Sequence, residues 1–193
     1  MRSTNLWTLV TLTLCLWNVG TGCTWMERQK GSRSMFQVFN NKTISMLQHM
    51  GRRVEGDRSS GFSGDGLPNF LSKQHNQALH LKAEDKLVFI WHALNGIERL
   101  FSSGSSNATR WAQRDVDELM NYLFRQNTQV HQCLKAMRPT SNAVNKKMKL
   151  HFRLMKKSLK NQGYSASAWE EVRRVVLAHL LRLDVLAARI FKA

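Results

Sequence analysis

Residues 165–192, with the sequence SASAWEEVRRVVLAHLLRLDVLAARIFK, carry apolar residues at intervals of three and four. This period places one row of side chains on one face of an α-helix, which at 1.5 Å per residue would be roughly 40 Å long. The row consists of Trp169, Val172, Val176, Leu180, Leu183, Ala187 and Ile190. A second apolar line, formed by Leu177, Leu181 and Val185, lies on another side. We therefore expect this helix to be buried on more than one face, as the central helix of a bundle would be.

The rest of the chain has the same helical period. Helices are predicted over 34–50, 69–81, 83–101, 109–139 and 141–163. Residues 51–68 are rich in Gly, Ser and charged residues and are expected to form a long crossing loop. No window alternates apolar and polar residues in the manner of a β-strand. The chain is predicted to be all-α, a bundle of five to six helices with a long first crossover loop.

The helix ends are predicted from capping residues. Thr109 is expected to cap the helix that runs towards the second proline, and Gly163 is expected to end the next one. Ser167, with Glu170 three residues later, predicts a capping box at the start of the last helix.

The N-terminus has the three parts of a secretory signal peptide. Arg2 is followed by the uncharged run LWTLVTLTLCLW at 6–17 and by small residues before Cys23. The run is about 12 residues long, whereas a membrane-spanning helix needs about 20. We predict a signal peptide over 1–22 and one secreted, extracellular domain over 23–193. A bacterial lipoprotein signal is disfavoured, because Gly20 stands where such signals need an aliphatic residue.

Two cysteines remain after removal of the signal peptide, which takes Cys15 with it. An even count in an oxidising compartment predicts one disulfide, between Cys23 and Cys133. The alternatives are free thiols or a bridge between two chains. Two sequons, at Asn41 and Asn107, predict N-glycosylation and a surface position for both asparagines.

The predicted mature chain is strongly basic. Its net charge falls only from +16 to +15 when the signal peptide, with one Arg and no acid, is removed. Six cations share an arc of about 100° on the helix at 141–163, away from its apolar stripe. They are Lys146, Lys149, Arg153, Lys156, Lys157 and Lys160. That face lacks aromatic stacking partners of its own, so for a secreted protein we favour a receptor or heparan-type polyanions as its partner, then plain solvation, and nucleic acid last.

No motif of an enzyme or a metal site is present. The chain has no HExxH pair, no GxSxG turn and no GxxxxGK loop. The histidines are interpreted as surface or boundary residues and not as ligands; they are His49, His75, His80, His92, His131, His151 and His179. We expect no enzymatic activity, no cofactor and no metal.

Three stretches resemble type I interferons. AWEEVRR at 168–174, shortly after Tyr164 and Ser165, resembles the start of the family's last helix. CTWM at 23–26 resembles the family's N-terminus, and DKLVF at 85–89 resembles its third helix. In four-cysteine members, a second bridge has one cysteine where this chain has Ser167. Both ends of that bridge are missing here, which resembles the two-cysteine group of bony fishes.

The resemblance implies a helical cytokine of the four-helix-bundle type. It further implies a monomeric ligand that assembles two class II cytokine receptor chains, triggers kinase-driven JAK–STAT signalling and induces antiviral genes. One receptor chain is expected at the start of the last helix, through Arg173 and Arg174, and at the loop after the first helix, through Arg52 and Arg53. Arginine suits such contacts because its planar fork pairs with carboxylates, although each of the four could instead be merely solvated.

Two other functions are compatible with the sequence. The first is a cationic, membrane-active host-defence protein that uses its positive charge and basic helical face, whereas the interferon interpretation implies no membrane insertion. The second is another class II helical cytokine, for which a domain-swapped dimer would be expected.

Overall fold

The computed structural model describes residues 23–28, 32–55, 67–102, 109, 111–135, 137 and 143–190, with the backbone alone at 52–55 and 67–70. These residues form helices and no strand, which confirms the all-α prediction. The helices are α1 (Met35–Glu55), α2 (Leu67–Leu79), α3 (Ala83–Phe101), α4 (Gln113–Lys135), α5 (Ala143–Asn161) and α6 (Ala166–Ala187). The predicted signal peptide and Asn107 lie outside this part of the chain. No helix within the described ranges is long and apolar enough to span a membrane.

Several helix boundaries differ from the prediction. Helix α2 begins and ends two residues earlier than predicted, and α6 ends at Ala187 instead of 192. Helix α1 continues through Gly51 to Glu55, so Arg52 and Arg53 belong to its last turn and not to a loop. Helix α4 begins at Gln113, and Thr109 does not cap it. The reason is Trp111, which is buried just before α4 and packs against Trp169 at a centroid distance of 5.9 Å.

The turn between α5 and α6 is set by local chemistry. Gly163 ends α5 as predicted: its φ is 61°, and the N–H of Tyr164 donates to the carbonyl of Leu159 at 3.0 Å. Ser165 caps α6, its Oγ accepting from the N–H of Ala168 at 3.3 Å. The predicted capping box is therefore wrong, because Glu170 turns away from the helix start to pair with Arg173.

Helix α6 forms the centre of the molecule. It packs against α1, α2, α3 and α5, and every residue of its predicted inner row is buried. The second apolar line was wrongly expected to be buried as well, because Leu181 is 48% exposed and Val185 50% exposed. The other buried residues of α6 instead include Val175, His179 and Leu186.

The predicted disulfide is confirmed. Cys23 and Cys133 are bonded, with their Cα atoms 5.0 Å apart and 110 residues between them in sequence. The N–H of Phe36 donates to the carbonyl of Trp25 at 3.1 Å, and Met26 is buried. The N-terminal segment is thereby fixed to the start of α1 and to the end of α4.

Candidate functional site

The end of α1 meets the start of α6 at one corner of the bundle. The guanidinium group of Arg173 lies directly against the backbone of Gly51, where a Cβ atom would clash with it. Gly51 precedes Arg52 and Arg53, whose backbone lies in the same last turn of α1. The fold thus brings together the two chain segments that carry the four arginines predicted to bind a receptor. We call this region the α1–α6 corner.

Arg173, for which a receptor contact was predicted, is buried in the fold. Its side chain is 5% exposed. Nε donates to both carboxylate oxygens of Glu170 at 2.9 Å, and Nη2 also bonds to Glu170. Nη1 donates to the carbonyl of Leu47 on α1 at 2.8 Å. Arg173 therefore clamps α6 to α1, a role that its position in the sequence does not reveal.

Arg174, in contrast to Arg173, is accessible to solvent. Its side chain is 42% exposed, and its Nε lies 3.5 Å from Oε1 of Glu170. The largely buried carboxylate of Glu170 is thus shared between two guanidinium groups. Because the side chain of Arg174 is exposed, the carboxylate of a binding partner can reach it.

An exposed apolar strip runs along α6 from this corner. It consists of Leu181 and Val185, each about half exposed, and the partly buried Leu177. Apolar side chains next to arginines are typical of protein–protein interfaces. The exposure of this strip could have been anticipated from the sequence. Its residues lie on a different face of α6 from the buried row, and they could be buried only if other helices surrounded α6 on all sides.

Asn41 lies on the exposed side of α1. The hydroxyl of Thr43, the third residue of its sequon, is buried, donates to the carbonyl of Phe39 at 3.0 Å and accepts from Nε2 of Gln126 at 2.7 Å. Glycosylation of Asn41 stays a prediction, as does that of Asn107.

Three histidines form a buried chain, so their interpretation as surface or boundary residues was wrong. Nε2 of His75 lies 3.1 Å from Nδ1 of His179, whose Nε2 lies 3.0 Å from Nε2 of His151. Burial lowers the pKa of His75 to about 3 and that of His151 to about 4, and it also holds the pKa of His179 well below its usual value. The three rings are therefore neutral at pH 7. The nitrogens lie in a row, and within the described ranges no three His, Cys, Asp or Glu side chains are arranged to hold a metal.

Comparison with known proteins identifies the family of this bundle. The family model of the interferon alpha/beta domain matches residues 33–190, which include all six helices. The chain belongs to the type I interferon family. This interferon is similar to the solved structure of zebrafish interferon 1, with a TM-score of 0.70, 27% identity and coverage of 86% of this chain and 98% of that chain.

A curated relative agrees with this result. Interferon a3 of Oncorhynchus mykiss is 29% identical over 188 residues, covering 96% of this chain and 97% of the relative. The predictions of a fish type I interferon and of an all-α helical cytokine are confirmed. Interferons are secreted signalling proteins without enzymatic activity, so the prediction that this chain is not an enzyme is confirmed by its family.

Proposed function

We propose that this interferon is secreted after removal of residues 1–22 and acts as a monomeric ligand that assembles two class II cytokine receptor chains. Assembly would start JAK–STAT signalling and the induction of antiviral genes. The observation that supports this proposal most directly is the α1–α6 corner. There Arg174 and the exposed apolar strip are neighbours on the surface of α6, while the buried Arg173 holds α6 against α1.

Within this site, Arg174 and the apolar strip contact one receptor chain. Arginine and apolar anchors dominate the energy of many protein interfaces, provided that they are held in place before binding. Arg173 acts indirectly, since its bonds to Glu170 and Leu47 fix the height and rotation of α6 against α1. Arg52 and Arg53 extend the same site from the last turn of α1. The second receptor chain binds the opposite face of the bundle.

The test applies purified, oxidised residues 23–193 to fish cells that respond to type I interferons. Phosphorylation of the signal-transducing transcription factors is followed over minutes at sub-nanomolar dose. Arg174→Ala together with Leu181→Ser should raise the dose for half-maximal response by roughly tenfold or more, because each removes an anchor worth about 1 kcal/mol or more.

Arg189→Ala provides the matched control, since it removes an equal charge from an exposed residue just beyond α6. Its response should equal that of the parent protein, and all variants should keep the parent thermal midpoint. If the folded parent protein causes no phosphorylation of the transcription factors in responsive cells, receptor signalling is refuted. Equal potency of the corner variant and the control would refute the site while leaving the function intact.

We also propose that this interferon binds heparan-type polyanions. The six cations predicted to share one face of α5 are all exposed to solvent. Fixed charges of one sign on one helix attract anionic chains, with an affinity that falls steeply with salt.

A further inference from the structure

A cleft of about 340 Å³ lies between α3 and α5, on the basic side of the bundle. The residues that line it include Trp91, Arg99, Lys149, Phe152, Arg153 and Lys156. We call it the α3–α5 cleft. It rests on side chains from two helices, so the sequence of α5 alone could not reveal it.

The floor of the cleft depends on a glycine. A Cβ atom at Gly96 would clash with the ring of Phe152, so only glycine lets that ring lie against the backbone of α3. Phe152 is 6% exposed and forms an apolar base. Trp91 lines the cleft from α3 and is itself held by a stacked contact with His131, with centroids 5.4 Å apart. Aromatic side chains therefore do border the basic face, which corrects the expectation drawn from α5 alone.

The charge around this floor has one sign. Arg99 reaches the cleft from α3, and Lys149, Arg153 and Lys156 reach it from α5, whereas no Asp or Glu within the described ranges lines it. Among the residues that the structure describes, none of these four cations forms an ion pair. Burial and, secondly, Lys149 lower the pKa of His92 to about 4, so this lining imidazole adds no charge at pH 7. Four like charges around one cleft repel one another until an anion binds between them.

The shape and chemistry of the cleft favour a sulfated sugar. Its volume admits one or two sugar rings, the aromatic side chains offer an apolar surface to the C–H face of a ring, and the arginines can pair with sulfate through two donors each. We propose that the α3–α5 cleft binds one sulfated segment of a glycosaminoglycan chain, in which Arg99 and Arg153 bind sulfate groups from opposite walls of the cleft. This inference rests on the polyanion part of the proposed function and gives it a defined site.

A matched set of variants separates this site from general attraction by charge. The cleft variant carries Lys149→Gln, Arg153→Gln and Lys156→Gln. The control variant carries Lys73→Gln, Lys135→Gln and Lys147→Gln, three exposed lysines that neither line the cleft nor belong to the six-cation face of α5. Both variants lose three positive charges, so they differ only in where the charges lie. Arg99→Gln tests the other wall, because it removes one charge from a different helix.

The measurement is calorimetric titration of purified residues 23–193 with a size-defined heparin hexasaccharide, at about 150 mM salt. The cleft variant should bind the hexasaccharide at least roughly 30-fold more weakly than the parent protein, and the Arg99→Gln variant roughly fivefold more weakly. The affinity of the control variant should fall by less than about threefold, because direct contacts to sulfate contribute more than distant charges. Arg99→Lys should recover only part of the loss, since lysine cannot form the paired contact. Parent-like thermal midpoints would show that all variants remain folded.

Three results would overturn the inference. Equal losses for the cleft and control variants would mean that charge acts diffusely. Absence of binding by the parent protein would mean that there is no such site, and tighter binding of a single-stranded oligonucleotide of equal charge would point to nucleic acid. No receptor takes part in this titration. Signalling is measured separately on cells that lack sulfated glycosaminoglycans, so failure of the cleft and failure of the cytokine proposal can be told apart.

Discussion

At the scale of single residues, the pair formed by Gly51 and Arg173 joins the two ends of the candidate receptor site. Arg173 forms an ion pair with Glu170 and donates a further hydrogen bond to the carbonyl of Leu47. Gly51 supplies the space in which this guanidinium lies. Arg174, one position later, shares the same carboxylate but is 42% exposed. Adjacent arginines thus have different tasks, one inside the fold and one at its surface.

Arg173→Ala should lower the free energy of unfolding by about 3 kcal/mol, because it leaves the largely buried Glu170 without its main partner and removes the bond from α6 to the Leu47 carbonyl on α1. Arg174→Ala should cost less than about 1 kcal/mol, as expected of an exposed ion pair. Urea denaturation measures both changes. The double variant Glu170→Ala with Arg173→Ala should be less destabilised than the sum of its single variants. Similar losses for Arg173→Ala and Arg174→Ala would contradict the clamp.

At the scale of single helices, the start of α6 depends on the turn after α5. Gly163 and Tyr164 both have positive φ, at 61° and 56°, and Ser165 caps the next helix. This short turn fixes where α6 begins and hence where Arg173 and Arg174 meet α1.

Gly163→Ala should destabilise the protein by about 1 kcal/mol, because a side chain is strained in the left-handed region. A Cβ atom at this position meets nothing within 4 Å, so the loss would come from the backbone alone. Ala166→Gly, an exposed position in the first turn of α6, serves as a reference for ordinary helix propensity. Thermal denaturation of both variants decides the question, and an unchanged midpoint for Gly163→Ala would show that the turn tolerates a side chain.

Helical period predicted which faces are buried better than it predicted where helices end. Helix α3 was located to the residue, since its apolar row stops at a Ser-rich segment. Gly51 looks like a helix terminator but lies inside α1, where its lack of a side chain admits Arg173. The helical period also led to the wrong prediction that Leu181 and Val185 are buried. The spacing of residues shows which of them share a face, but not whether another helix covers that face. The α3–α5 cleft, the α1–α6 corner and the histidine chain each depend on helix pairing, which no single window contains.

At the scale of the whole molecule, the histidine chain ties three helices together. His75 belongs to α2, His151 to α5 and His179 to α6, and the central ring bonds to both others. Phe89 packs against His75, Phe152 packs against His179, and the nearby Arg182 adds to the burial that keeps His75 and His179 uncharged. The bundle is therefore assembled around neutral imidazoles.

The stability of this interferon should fall as the pH drops from 7.5 to 5. In the unfolded chain these histidines take up protons near pH 6.5, whereas the folded pKa of His75 is about 3 and that of His151 about 4. Their stabilising effect is therefore complete above about pH 6.5 and is lost progressively below it, by on the order of 1 to 2 kcal/mol per histidine at pH 5. Urea denaturation at both pH values measures the loss. His75→Gln with His151→Gln should reduce the pH dependence even though it lowers stability at pH 7.5, and His49→Gln, at an exposed position of α1, should leave the pH dependence unchanged. A parent protein equally stable at both pH values would mean that the buried chain accepts protons at little cost.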